Sequence, residues 1–238
     1  MTTIRLISSM ATKALLADLV ALYDAQAPDV QVLVESVGGV AAAQRVQAGE
    51  AFDCVMLASD AIDKLVASGH VQAGSRVDLV QSSVAVAVPA GAPAPDISSE
   101  AALKAAILSA RTLGYSTGPS GVQLAKQFEV WGIADQIKDR MVQAQPGVPV
   151  GQLIAQGEVA LGFQQLSEML GVPGITIVGG LPPGVEIITT FSGSVAATSV
   201  QAQAVQAMQA FWASPACADT KVRHGMVAPP VGATPPSR

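Results

Sequence analysis

Short β-branched apolar runs alternate with stretches of helical period along the first part of the chain. The runs Ile4–Ile7, Val30–Val34, Asp53–Leu57 and Ser83–Val88 predict strands, and Lys13–Ala27, Val40–Gln47 and Ala61–Ser68 predict helices. In the first helix Leu15, Leu16, Leu19, Val20, Leu22 and Tyr23 recur at three- and four-residue spacing, which gives one buried stripe. Such alternation implies βαβ units around a mainly parallel sheet.

The punctuation Gly91-Ala92-Pro93-Ala94-Pro95 closes this pattern, and Ser98-Ser99-Glu100 caps a helix to about Ser109 that opens a second one. Strands are expected at Thr112–Tyr115, Ala160–Phe163 and Ile175–Val178, with helices at Gln123–Trp131, Ile133–Arg140 and Val150–Gln156. Beyond Leu181-Pro182-Pro183-Gly184, the Val-, Ile- and Thr-rich segment Val185–Ala197 reads as one long strand interrupted at Phe191-Ser192-Gly193. It is the natural return path to the first half. A last helix at Val200–Ala213 and a fraying Pro-rich tail from Ala228 to Arg238 complete the chain. The expected organisation is two discontinuous lobes, residues 1–83 with 192–238 and residues 84–191.

A length of 238 residues accommodates either one large domain or two lobes of about 110 residues, since single cores stop growing near ~250–300. Half of the residues are apolar and only 13% are charged, which excludes a disordered chain. The net charge of −5 and scattered basic residues argue against nucleic acid as a partner. No apolar run approaches the ~18–20 residues of a spanning helix, so no membrane insertion is expected. The N-terminus carries no secretory signal, which reads as cytoplasmic as it stands and periplasmic if the sequence is a trimmed mature form. Cys54 and Cys217 read as two unpaired thiols.

Ligands of open α/β sheets bind beyond the carboxyl ends of the strands, where helix N-termini present unpaired N–H groups. Three junctions qualify. Ser8-Ser9-Met10-Ala11-Thr12 precedes the first helix, Ser36-Val37-Gly38-Gly39 the second, and Ser116-Thr117-Gly118-Pro119-Ser120-Gly121 the helix carrying Gln123. Each joins small hydroxyls to glycine and lets an anion approach the backbone closely, although each taken singly is also what an ordinary cap or turn requires.

The order of motifs resembles the molybdate-binding proteins of transport systems. Ile4-Arg5-Leu6-Ile7-Ser8-Ser9 is followed by an amphipathic helix, by Gln44–Asp53 in the manner of "I-x-x-G-x-x-x-D", and by Leu57-Ala58-Ser59-Asp60. Gly157-Glu158-Val159-Ala160-Leu161-Gly162-Phe163 is similar to that family's "G-E-A-D-A-G" element, and the resemblance spans roughly residues 4–200. It implies an α/β, two-lobed type II periplasmic-binding-protein fold. In that fold each lobe is a mainly parallel sheet flanked by helices, and strands near Ser83–Pro89 and Thr189–Ala197 cross between the lobes, with a solute held between them. Where the family has a serine this chain has Gly38 and Gly39, where its first turn has a hydroxyl this chain has Ala11, and Gln164 and Gln165 stand near the family's tyrosine.

The ligand-binding candidates are therefore Ser8, Ser9, Thr12, Gly38, Gly39, Arg45, Thr117, Ser120, Gly121, Gln164 and Gln165. They suit either an oxyanion of the molybdate type or a roomier site for a small di- or tricarboxylate. Arg45, on the second helix, is placed to reach a second carboxylate, and His70 and His224 read as surface or helix-end residues. Metal-site spacing, a phosphate-binding P-loop and a nucleophile elbow are all missing, and no cofactor is expected. The first reading is a monomeric solute-binding protein for a small anionic solute, served by an ABC permease if exported. A second is a cofactor-independent isomerase of a small tricarboxylate, of the aconitate isomerase type that resembles this family, with Lys13 as candidate base. A ligand-sensing regulatory domain is the third.

Overall fold

The computed structural model describes residues 1–145 and 147–230. In chain order the elements are β1 (Thr2–Ser9), a 3₁₀ turn (Met10–Thr12), α1 (Lys13–Gln26), β2 (Val30–Val37), α2 (Gly39–Gln47), β3 (Cys54–Ala58), α3 (Ser59–Ala67) and β4 (Val77–Pro89). There follow α4 (Glu100–Ser109), β5 (Leu113–Tyr115), α5 (Pro119–Val130), α6 (Ala134–Ile137), β6 (Met141–Gln143), α7 (Val150–Ala155), β7 (Leu161–Gln165), α8 (Leu166–Met169) and β8 (Ile175–Gly180). The chain closes with β9 (Ile188–Val195), α9 (Ala202–Ala213), α10 (Ala218–Arg223) and β10 (Met226–Val227).

Two compact units result, one from Met1–Gln81 together with the chain from Thr190 onward, the other Ser82–Thr189. The boundaries fall inside β4 and β9, so these two strands pass from one unit to the other. In the first unit β2, β1 and β3 are parallel, and β9 runs antiparallel along β3. In the second, β6, β5 and β7 are parallel, while β7 and β8 each pair antiparallel with β4.

Each unit buries apolar residues on both faces of its sheet, and the period of two along the strands does the sorting. Cys54, Met56 and Ala58 face the cluster containing Leu15, Leu19, Met208 and Trp212, whereas Val55 and Leu57 face Ala42, Ile62 and Leu65. In the second unit Val84, Val86 and Val88 join Leu103, Leu124 and Phe128, and Ala85 and Ala87 join Val150, Ile154 and Met169. Strands buried on both faces read as continuous apolar runs, which is why β3 and the middle of β4 were visible in the sequence.

The structure differs from the sequence expectation in several places. β9 runs without interruption through Phe191-Ser192-Gly193, because Gly193 is there for packing: a Cβ on it would lie 2.7 Å from the Gln209 amide nitrogen and 3.1 Å from Leu79. α5 starts at Pro119, not Gln123, with Gly118 as N-cap and proline's fixed φ suited to the first helical position. The helix expected over Ile133–Arg140 is a short α6 continued by a 3₁₀ turn at Lys138–Arg140. The short β6, α8, α10 and β10 carry too few residues to show a period. The fraying expected of the tail concerns, beyond Pro230, residues outside those described.

Candidate functional site

In the first unit the parallel register brings the ends of β1 and β2 level, Ser8 beside Ser36 and Ser9 beside Val37. Their following turns therefore lie at one end of the sheet. The hydroxyls that the sequence grouped together separate here. Ser8 Oγ pairs with Ser36 Oγ at 2.8 Å and Thr12 Oγ1 donates to the Ser9 carbonyl at 3.2 Å, so both shape the turn. Ser9 Oγ is buried and has no partner. It stands next to the start of α2, where a Cβ on Gly39 would come within 3.7 Å of Ser9 Cβ, and Gly38 is the N-cap with no side chain to occupy the helix N–H groups.

Two of the charged candidates are placed elsewhere. The Arg45 guanidinium is held by Glu35 and Glu50, with Nε on Glu50 at 2.7 Å and Nη2 on Glu35 at 3.0 Å, and lies over the Phe52 ring. These carboxylates hold Arg45 firmly charged, and it in turn holds both below the usual carboxylate range. The guanidinium is thus committed to two carboxylates of the scaffold while its side chain stays partly exposed. Lys13 is exposed at the first position of α1, outside the buried hydroxyls of its turn. His70 bonds Ser68 Oγ at 2.8 Å and His224 bonds Asp18 at 2.9 Å.

In the second unit β5 and β7 are parallel with Tyr115 beside Phe163, so the turn from Ser116 to Gly121 and the segment Gln164–Glu168 leave the same end of the sheet. Ser120 is buried, its Oγ 3.3 Å from Ser116 Oγ, and Thr117 is half-buried. Gly121 is obligatory here: a Cβ would sit 1.8 Å from the Ser116 carbonyl oxygen. Gln164 and Gln165 are both buried but do different work. Gln164 Oε1 accepts the Val150 N–H at 2.8 Å and so caps α7, whereas Gln165 Nε2 donates to Thr189 Oγ1 at 2.6 Å and leaves Oε1 buried and unpaired.

Glu168, absent from the sequence reading, follows in the same segment. It lies half-buried in the first turn of α8, and burial pushes its carboxyl up to about 7, opposed by the Gln164 side chain. The signal available in the sequence was an acid four residues after Gln164, directly before the apolar Met169-Leu170. The hydroxyl of the intervening Ser167 is buried without a partner. Among the described residues no group of His, Cys, Asp and Glu is arranged to hold a metal ion, and Cys54 and Cys217 are buried free thiols.

Parallel sheets with small-residue turns at their carboxyl ends, linked by two strands that pass between the units, define a type II periplasmic-binding-protein fold. Solved structures agree. A periplasmic molybdate-binding protein of Azotobacter vinelandii matches with a TM-score of 0.79 at 17% identity, covering 95% of this chain and 100% of that one. The substrate-binding domain of a putative molybdenum ABC transporter from Clostridium difficile gives 0.77 at 15% identity, covering 97% and 100%. A sulfate-binding protein from Mycobacterium tuberculosis gives 0.76 at 18% identity, covering 98% and 88%.

Residues 4–227 match the family described as bacterial extracellular solute-binding protein, and the chain belongs to that family. A relative from a Pseudomonas species, named aconitate isomerase, is 43% identical over 173 residues, which is 71% of this chain and 65% of that protein. No helix among the described residues is long and apolar enough to cross a membrane.

Proposed function

We propose that the chain binds a small organic di- or tricarboxylate of the aconitate class. The observation that carries this reading lies in the first unit, where Ser9 Oγ is buried at the end of β1 with no partner within the protein, beside the start of α2. A buried hydroxyl without a partner is costly unless a ligand completes it, and Ser9 can donate to a carboxylate oxygen. Within the second unit Gln165 is adaptable in the same sense: rotating its amide lets Oε1 accept from the Thr189 hydroxyl and frees Nε2 to donate to a carboxylate. The α2 N-terminus behind Gly38 and Gly39 adds roughly 0.3–1 kcal/mol for a nearby anion.

A compact oxyanion is held by several short hydroxyls, and here Ser8 and Thr12 are spent on the turn itself. Long amides and open glycines favour a larger anion. Calorimetric titration with cis- and trans-aconitate, citrate, molybdate and sulfate tests this, with carboxylates binding and the oxyanions silent as the expected outcome. Micromolar molybdate binding without a carboxylate response rules it out. The family's description as extracellular supports a setting outside the cytoplasm, and the likeness to the substrate-binding domain of a molybdenum ABC transporter supports an ABC permease as the receiving partner.

A second reading, isomerisation of the bound tricarboxylate, is favoured by the 43% identity to the relative named aconitate isomerase. Moving a double bond along an allylic system needs one base and no cofactor. Proton NMR of cis-aconitate incubated with the protein distinguishes the two, since a receptor leaves the double-bond geometry unchanged.

A further inference from the structure

Most glycines of this scaffold have one of two reasons to be glycine. Gly157 holds a φ of 78°, where any side chain is strained, and at Gly162 a Cβ would lie 2.5 Å from Ile154 Cδ1. Gly39 has neither reason. Its φ is not positive, it stands at the first position of α2, and the nearest atom to a Cβ built on it is Ser9 Cβ at 3.7 Å, an ordinary van der Waals distance. Glycine in a helix costs stability relative to alanine, so the fold alone favours a side chain at this position.

The room kept free at Gly39 adjoins two sets of donors. Ser9 Oγ is buried with no partner within the protein, and the register of β1 on β2 sets Ser9 beside Val37, level with the chain that enters α2. Gly38, the N-cap, supplies no side-chain acceptor, so the first N–H groups of α2 stay available next to that hydroxyl. A buried hydroxyl and a helix start, with no side chain at 39 to fill the space beside them, can hold a carboxylate together with the carbon that bears it.

We propose that Gly39 is a specificity-determining residue of the carboxylate site: having no side chain, it leaves room for the carbon skeleton behind a carboxylate held by Ser9 and the start of α2. The inference deepens the carboxylate reading above and rests on it. Alanine at 39 narrows this room without removing any hydrogen bond. Serine does more, because a Cβ 3.7 Å from that of Ser9 lets the two hydroxyls pair and turns Ser9 from the ligand to the scaffold. Both residues suit the first position of a helix at least as well as glycine, so stability and binding should move in opposite directions.

The test compares the wild-type chain with G39A and G39S by calorimetric titration with trans-aconitate and with the smaller dicarboxylate malonate, and by urea denaturation without ligand. Both variants are expected to unfold at a urea concentration equal to or above that of wild type. Each should bind trans-aconitate about tenfold or more weakly, with malonate affinity changed by no more than about threefold. Variants that bind trans-aconitate as wild type does overturn the assignment of Gly39 alone. Equal losses for the two ligands also overturn it, since bulk is then not what the position selects, as does a marked loss of stability in both variants, since glycine then serves the fold. A wild type that binds neither carboxylate removes the carboxylate reading and this proposal with it.

Discussion

Gln164 Oε1 accepts the backbone N–H of Val150 at 2.8 Å, and through that bond the end of β7 caps α7. Replacing Gln164 with leucine leaves the first N–H of α7 buried and unpaired, a loss of about 1–3 kcal/mol measurable by urea denaturation. It also removes the amide that holds the Glu168 carboxyl down against burial, so any binding that needs this carboxylate ionised should shift its acid limb to higher pH. An unchanged stability would show that Gln164 is not the cap.

Ser9→Ala is expected to separate stability from binding. In the free chain Ser9 Oγ is buried without a partner, so removing it leaves stability unchanged or slightly raised. A charge-assisted hydrogen bond to a carboxylate is worth about 1.5–3 kcal/mol, so the same variant should weaken aconitate binding by about tenfold or more. A variant that is less stable yet binds normally would place Ser9 in the scaffold.

Much of the fold was legible because its strands advertise themselves. β3 is buried along its whole length and β4 nearly so over its middle, which makes continuous apolar runs, and α1 carries a clear stripe. The anion-facing turns were legible only as a composition of Ser, Thr and Gly, since nothing local distinguishes Ser8, already bonded to Ser36, from Ser9, which is not. That distinction depends on the register between β1 and β2. The partners of Arg45 were hidden for the same reason: Glu35 stands on β2 and Glu50 in the loop after α2, and helix position alone cannot reveal that both reach it. Glu168 escaped notice because a four-residue α8 has no period, and its partial burial is a tertiary fact.

Arg45→Met should leave carboxylate affinity within about threefold of wild type, because the guanidinium is partly exposed and already committed to Glu35 and Glu50. Calorimetry with trans-aconitate checks this. A loss of tenfold or more would return Arg45 to the ligand site.

Glu168 also predicts a pH dependence of stability with a definite sign. Its carboxyl titrates near 7 in the folded chain against an ordinary value of 4.5, because burial disfavours the charged form. Between those two pH values the native chain keeps a proton that the unfolded chain has released, so the unfolded state binds fewer protons and stability falls as pH rises. The slope is about 1.4 kcal/mol per pH unit, roughly 3 kcal/mol across the window, with no further loss from this group above neutrality. E168Q has no such proton to lose. Its stability relative to wild type should therefore rise from pH 5 to pH 8 and then level off, measured by urea denaturation at each pH. Parallel curves for the two proteins across that range would mean that Glu168 ionises like an ordinary exposed carboxylate.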